Sequence, residues 1–240
     1  MIRAILFDMG GTLDGDGQHW LDRFARLYEE AGAMLPRERV RAAFDHAERC
    51  TAADASMAVA DLDVMVDRHL TWQLQYLCDE GVIAIDQRPR LRAWMLPRFT
   101  APMRAAGNAN VPLLASLKAQ GFELGVVSNA CGNVDRLCDD LGYSSYLSAV
   151  IDSHRVGVAK PDPAIFRLAA NRLGVPPTAI VMVGDSYERD MVPAKSIGMT
   201  TAWLPGTTAQ SSGDRGAADV VLQRLADLPT AIDLRSRTVA

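Results

Sequence analysis

Ile2-Arg3-Ala4-Ile5-Leu6-Phe7-Asp8-Met9-Gly10-Gly11-Thr12-Leu13 opens the chain and decides how the rest is read. Ile2–Asp8 is a β-rich run, almost continuously apolar after Arg3, as a strand buried on both faces requires. It ends on a carboxylate followed at once by a glycine-bearing turn. Glycines there let the backbone bend sharply and approach a ligand closely. Their N–H groups, with the Thr12 hydroxyl, are suited to cradle an anion. Working outward, similar short runs recur at Glu123–Asn129, Ala149–Asp152, Ala179–Asp185 and Thr200–Leu204, with a weaker one at Asp219–Leu222. Helical patterns lie between the later runs, at Pro112–Gln120, Asn133–Leu141, Pro163–Leu173 and Asp190–Ile197. Gly121, Gly142, Gly174 and Gly198 follow them as stop signals. This alternation predicts an α/β fold with a parallel sheet covered on both faces. Ligands in such sheets sit beyond the carboxyl ends of the strands, which singles out Asp8, Ser128, Asn129 and Asp185.

More than a hundred residues separate the first two strand patterns, too many for one crossover. The intervening stretch reads as helix throughout. Leu21, Phe24, Ala25, Leu27 and Tyr28 recur at helical spacing, as do Leu62, Met65, Val66, His69 and Leu70. The expected organisation is a core of residues 1–14 and 109–240, with an all-helical domain of residues 15–108 inserted after the first strand. Gly15-Asp16-Gly17 and Ala105-Ala106-Gly107-Asn108 are its expected hinges. Ser211–Gly216 reads as a polar loop and Arg235–Ala240 as a frayed tail.

Composition narrows the function classes. The 240 residues carry 25 Lys+Arg against 29 Asp+Glu, and the net charge of -4 supplies no field to attract a polyanion, so no nucleic-acid partner is expected. No apolar run approaches the ~20 residues of a membrane span. No cleavable apolar leader precedes the first strand, so a cytoplasmic location is expected. Cys50, Cys78, Cys131 and Cys138 form no Cys-x-x-Cys pair, which argues against a disulfide framework or a zinc site. Cys131 and Cys138 are seven apart, a spacing that suits packing on one helix face.

Several polar residues then combine. Ser128-Asn129 ends the second strand, where a hydroxyl and an amide suit phosphate oxygens or a helix cap. Lys160 is one of three lysines in the chain and stands at the rigid bend Lys160-Pro161-Asp162-Pro163. Gly184-Asp185-Ser186 ends the fourth strand, with Asp190 five residues further on. Asp8, Asp185 and Asp190 converge if the sheet is parallel, and three carboxylates at low dielectric repel strongly. A hard cation resolves that repulsion, and Mg²⁺ suits a few carboxylates together with phosphate oxygens.

The ordered set resembles the haloacid dehalogenase (HAD) superfamily of phosphohydrolases. Phe7-Asp8-Met9-Gly10-Gly11-Thr12-Leu13 is similar to its first motif and Ser128-Asn129 to its second. Lys160-Pro161-Asp162-Pro163-Ala164-Ile165-Phe166 is similar to the third, and Gly184-Asp185-Ser186 with Asp190 to the fourth. The resemblance implies a Rossmann-like, doubly wound core, with the insertion as a helical C1 cap. It further implies Asp8 as the nucleophile that forms an aspartyl-phosphate, and Ser128 as the phosphate clamp with Asn129 beside it. Lys160 would be the counter-charge, and Gly11 and Thr12 part of the phosphate-binding turn. Mg²⁺ would be held by Asp8, Asp185, Asp190 and the main-chain carbonyl of Gly10. The expected ligand is a small phosphorylated metabolite, and the expected assembly a monomer or homodimer.

One position departs from the family pattern. Where most family phosphatases carry an acid/base aspartate two residues after the nucleophile, this chain has Gly10. Such a group is typically worth ~10²–10⁴-fold. Its absence disfavours a mutase. The lack of any lysine before Lys118 disfavours a phosphonate-cleaving Schiff base, and the retained Asp185 and Asp190 disfavour a metal-free dehalogenase. A Mg²⁺-dependent phosphatase remains, with a sugar phosphate as one candidate substrate because an anomeric oxygen leaves with less acid help. The alternative is an impaired HAD-like protein that binds a phosphorylated ligand or a partner. Asp14, Asp16 and His19 are candidate replacement proton sources. Each also has a plain reading, as turn residues for the aspartates and as a helix cap for the histidine. Trp20, Trp72, Tyr76, Arg90, Arg92 and Trp94 are candidate cleft residues of the cap.

Overall fold

The computed structural model describes residues 1–206 and 216–232. Apart from Gly216, the loop and tail read at Ser211–Gly216 and Arg235–Ala240 lie outside the described residues. Six parallel strands form one sheet: β1 (Ala4–Phe7), β2 (Glu123–Ser128), β3 (Ala149–Asp152), β4 (Ile180–Gly184), β5 (Thr200–Trp203) and β6 (Val220–Val221). Their order is β3-β2-β1-β4-β5-β6, the doubly wound arrangement. The strands alternate apolar side chains to two covered faces. Ile5 and Phe7 join one apolar cluster, and Ala4 and Leu6 join another with Ile165, Phe166 and Met182. Such two-sided burial explains the near-continuous apolar runs.

Nine α-helices lie among the described residues: α1 (Trp20–Glu30), α2 (Arg37–Ala53), α3 (Leu62–Asp79), α4 (Arg88–Ala119), α5 (Val134–Asp140), α6 (Ser153–Val156), α7 (Ala164–Leu173), α8 (Val192–Ser196) and α9 (Leu228–Ala231). The insertion between β1 and β2 holds only helices among them, α1 to α4, and its apolar interior is continuous with that of one sheet face. No helix of the described residues is long and apolar enough to cross a membrane.

The two expected hinges fare differently. Ala105-Ala106-Gly107-Asn108 is not a loop, because α4 runs without interruption through it. Gly107 is there for packing: a Cβ would come within 3.1 Å of the Leu141 carbonyl oxygen, so the missing side chain lets α4 approach the end of α5. The expected boundary at 108/109 therefore falls inside one helix. The first linker does turn at Gly17, which takes φ +88° against the backbone of Gly206. It is tied down by Asn110 Nδ2 and Tyr143 OH, each donating to the Leu13 carbonyl at 2.8 Å. Cys131 lies in the loop before α5 and Cys138 inside that helix, so they share no helix face. All four cysteines are free thiols.

Candidate active site

Register brings the chemistry to one edge. Phe7 pairs with Val126 on one side and Val183 on the other, so β1, β2 and β4 end nearly level. Asp8, Ser128 and Asp185 follow at those ends and line one cavity of about 280 Å³, together with Met9, Gly10, Asn129, Lys160 and Asp190. A cavity of this size takes a small ligand.

Lys160 organises the centre. Its Nζ donates to Asp8 Oδ1 at 2.5 Å and to Asp190 Oδ1 at 2.7 Å, and all three side chains are buried. Burial pulls the ammonium pKa down, but Asp190 and Asp8 outweigh it and hold Lys160 above its ordinary value. The lysine is set by Asn129: Asn129 Nδ2 donates to the Lys160 carbonyl at 2.9 Å, and the Lys160 N–H donates to Asn129 Oδ1 at 2.8 Å. The amide of Asn129 thus fixes the bend that carries the lysine, and Ser128 is left facing the cavity.

Asp8, Asp185 and Asp190 each offer an oxygen within 4.8 Å of the others. Burial is the first cause that raises Asp185 and Asp190 above the usual carboxylate range, and the charge of Asp8 adds to it. Lys160 offsets one charge of the three. The turn glycines make room for this crowding. A Cβ on Gly11, which sits at φ +89°, would meet Asp185 Oδ2 at 2.4 Å, and a Cβ on Gly184 would meet Asp190 Oδ2 at 2.4 Å. With one of its three charges offset, this cluster of carboxylate oxygens fits a hard divalent cation.

Other expectations resolve differently. Gly11 and Thr12 do not line the cavity. The Gly11 N–H donates to Asp14 Oδ1 at 2.6 Å. Thr12 Oγ1 is buried without a hydrogen-bond partner among the described residues. Gly10 lines the cavity at φ -73° and ψ 113°, a conformation open to any residue, and a Cβ there would meet only Trp20 Nε1, at 4.0 Å. No steric constraint keeps this position a glycine.

The three candidate proton sources separate. Asp16 faces away, with Oδ1 accepting from the Leu225 N–H at 2.6 Å. His19 caps α1 through Nδ1, which accepts from the Leu21 N–H at 3.2 Å. Burial, then Arg189, lowers its pKa. Asp14 is buried on the cavity wall and pushed up to about 6, chiefly by burial. Trp20 Nε1 donates to its Oδ2 at 2.7 Å. Of the expected cap residues only Trp20 lines the cavity. Arg92 pairs with Asp67 and Arg98 stacks over Trp94, while Tyr76 packs on His46, because the outer cap surface satisfies these side chains locally. Trp72 packs against the small cluster of Met57, Ala60 and Cys131. The cavity instead gains Phe44, Glu48 and Met65 from the cap and Arg189 from the loop after β4.

Comparison with known proteins agrees with this geometry. Residues 2–198 match the family described as haloacid dehalogenase-like hydrolase. The chain is 35% identical over 116 residues to a haloacid dehalogenase-like hydrolase domain-containing protein 3 of Danio rerio, a match covering 48% of each. It thus spans about half the length of that relative. It is 29% identical over 228 residues to a glyceraldehyde 3-phosphate phosphatase of Methanopyrus kandleri, covering 92% of this chain and 91% of the other. A 2-haloacid dehalogenase structure from Pseudomonas syringae superposes with a TM-score of 0.53 at 25% identity, covering 97% and 99%. The motifs at the strand ends, the sheet order and the match across most of the chain agree: this chain belongs to the haloacid dehalogenase-like hydrolases.

Proposed function

We propose that the protein is a Mg²⁺-dependent phosphatase that hydrolyses a small phosphomonoester through an aspartyl-phosphate on Asp8. The observation that carries this reading is the clustering of Asp8, Asp185 and Asp190 in the cavity, with Lys160 bridging Asp8 and Asp190. Oδ1 of Asp8 is taken by Lys160, and Oδ2 has no side-chain hydrogen bond among the described residues, so it is the oxygen available for attack. Attack forms the Asp8–phosphorus bond and releases the alcohol, and water then frees inorganic phosphate and restores the carboxylate. Ser128 and the Lys160 ammonium hold phosphate oxygens and neutralise charge during both steps. Asp8, Asp185, Asp190 and the Gly10 carbonyl would hold Mg²⁺, which when bound supplies charge neutralisation of the phosphoryl group. Asp14 is the carboxyl on the cavity wall best placed to carry a proton, since burial pushes its pKa up to about 6 and Trp20 keeps it in place. The test is chemical trapping: labelled acyl-phosphate appears on Asp8 in acid-quenched wild type and is absent from Asp8→Asn.

A further inference from the structure

The interior of the cap holds a polar chain that its packing does not need. The Tyr28 hydroxyl donates to Gln73 Oε1 at 3.3 Å, Gln73 Nε2 donates to His69 Nδ1 at 2.8 Å, and His69 Nε2 donates to Glu48 Oε1 at 2.9 Å. Tyr28, His69 and Gln73 are fully buried. The His69 ring is stacked on Phe24 with centroids 5.3 Å apart, and Phe44 lies 5.0 Å away. Polar groups among aromatic rings are costly unless each is satisfied. Here each donor points the same way, one proton on the imidazole satisfies both of its nitrogens, and the chain ends on a carboxylate that lines the catalytic cavity. Apolar side chains of the same volume would fill the cap equally well. The distinctive result of the network is a Glu48 carboxylate held in one orientation.

The same cavity wall carries Arg189. Its Nη2 meets His19 Nε2 at 3.1 Å and its Nε meets Ser186 Oγ at 3.3 Å. Among the described residues no carboxylate is ion-paired with it. The Glu48 side chain is about half-exposed. Partial burial pulls its pKa up, but the His69 hydrogen bond leads the interactions that outweigh this and hold it below its ordinary value, so Glu48 is an anionic acceptor. A substrate carboxylate drawn to Arg189 is repelled by Glu48, and a substrate ammonium drawn to Glu48 is repelled by Arg189, so neither gains from both groups. A neutral hydroxyl satisfies both groups, donating to Glu48 and accepting from Arg189.

We propose that Glu48, held by the His69–Gln73–Tyr28 chain, is the specificity residue of the cap and selects phosphomonoesters that carry neutral hydroxyl groups over those that carry a carboxylate or an ammonium. This rests on the phosphatase reading above. His69 is a positioning residue acting through Glu48.

The experiment measures kcat and KM for glycerol 3-phosphate, phosphoglycolate, phosphoethanolamine and p-nitrophenyl phosphate, each with an Asp8→Asn control. Wild type is expected to favour glycerol 3-phosphate over both charged esters. Glu48→Gln, which keeps an acceptor for His69 and so keeps the fold, is expected to lower the glycerol 3-phosphate to p-nitrophenyl phosphate ratio of kcat/KM about tenfold, mostly through KM. His69→Leu shifts KM the same way by less, and His69→Gln, which retains an N–H donor, recovers part of the loss. An unchanged ratio in Glu48→Gln, or a wild-type preference for either charged ester, overturns the inference while Asp8-dependent turnover keeps the phosphatase reading. Absence of Asp8-dependent release from all four esters overturns both.

Discussion

Lys160 Nζ lies 2.5 Å from Asp8 Oδ1 and 2.7 Å from Asp190 Oδ1, so one ammonium ties the carboxylate at the end of β1 to the acidic loop after β4. All three groups are buried, and removing one partner of such a pair costs about 3–5 kcal/mol. Lys160→Met is therefore expected to lower the melting temperature of the metal-free protein by ~6–20 °C, at about 2–4 °C per kcal/mol for a chain of this size. It should also lower kcat ~10²–10³-fold, the scale of a lost electrostatic donor. Thermal unfolding and steady-state kinetics check the two effects separately.

Asn129 holds the backbone that carries Lys160. Its amide makes two hydrogen bonds to the lysine backbone, at 2.9 Å and 2.8 Å. Asn129→Ala is expected to cost about 1–3 kcal/mol of stability. Loss of kcat with little change in KM is the expected kinetic signature, read from initial rates over a range of ester concentrations.

Gly10 is a glycine without a steric reason, since its backbone is ordinary and a Cβ has only Trp20 Nε1 nearby, at 4.0 Å. Gly10→Asp is expected to fold with an unchanged melting temperature. It should raise kcat on alkyl phosphates ~10²-fold, the low side of what an acid/base group gives. The gain should be smaller on p-nitrophenyl phosphate, whose leaving group needs little proton help. Equal gains on both would show that the added carboxyl does not act on the leaving group.

Asp14 sets a pH dependence with a definite sign. Its folded-state pKa of about 6 lies above the ordinary 3.8, so between those values the folded protein binds the proton more tightly than the unfolded chain does. The resulting stability is fully present below pH ~4 and is lost as pH rises through about 6. The gap corresponds to about 3 kcal/mol at ~1.4 kcal/mol per pH unit. Urea unfolding at pH 4 and pH 7 should show wild type losing more stability with rising pH than Asp14→Asn, by up to that amount. Parallel losses in the two proteins would contradict the assignment.

The sheet is legible because its central strands, β1, β2 and β4, are buried on both faces, which leaves near-continuous apolar runs that end on polar residues. The trio of Asp8, Asp185 and Asp190 was legible for the same reason: strand ends in a parallel sheet share one edge. The linker into β2 was misread because Gly107 in isolation looks like a break, whereas its cause is the distant contact with Leu141. The cap wall was also misread. Of the aromatics and arginines expected there only Trp20 reaches the cavity; the charged residues it gains instead are Glu48 and Arg189, whose position depends on how α2 and the loop after β4 fold. A signal for Glu48 existed. His69 and Gln73 lie four apart on the otherwise apolar face of α3, and two polar groups on a buried face require partners.

The most direct test of the central claim is phosphate release from small phosphate esters, with and without Mg²⁺, by wild type and Asp8→Asn. Turnover that requires both Mg²⁺ and the Asp8 carboxylate is the predicted result. Phosphate release that persists in Asp8→Asn, or none from folded wild type in Mg²⁺ across esters with good and poor leaving groups, would contradict it.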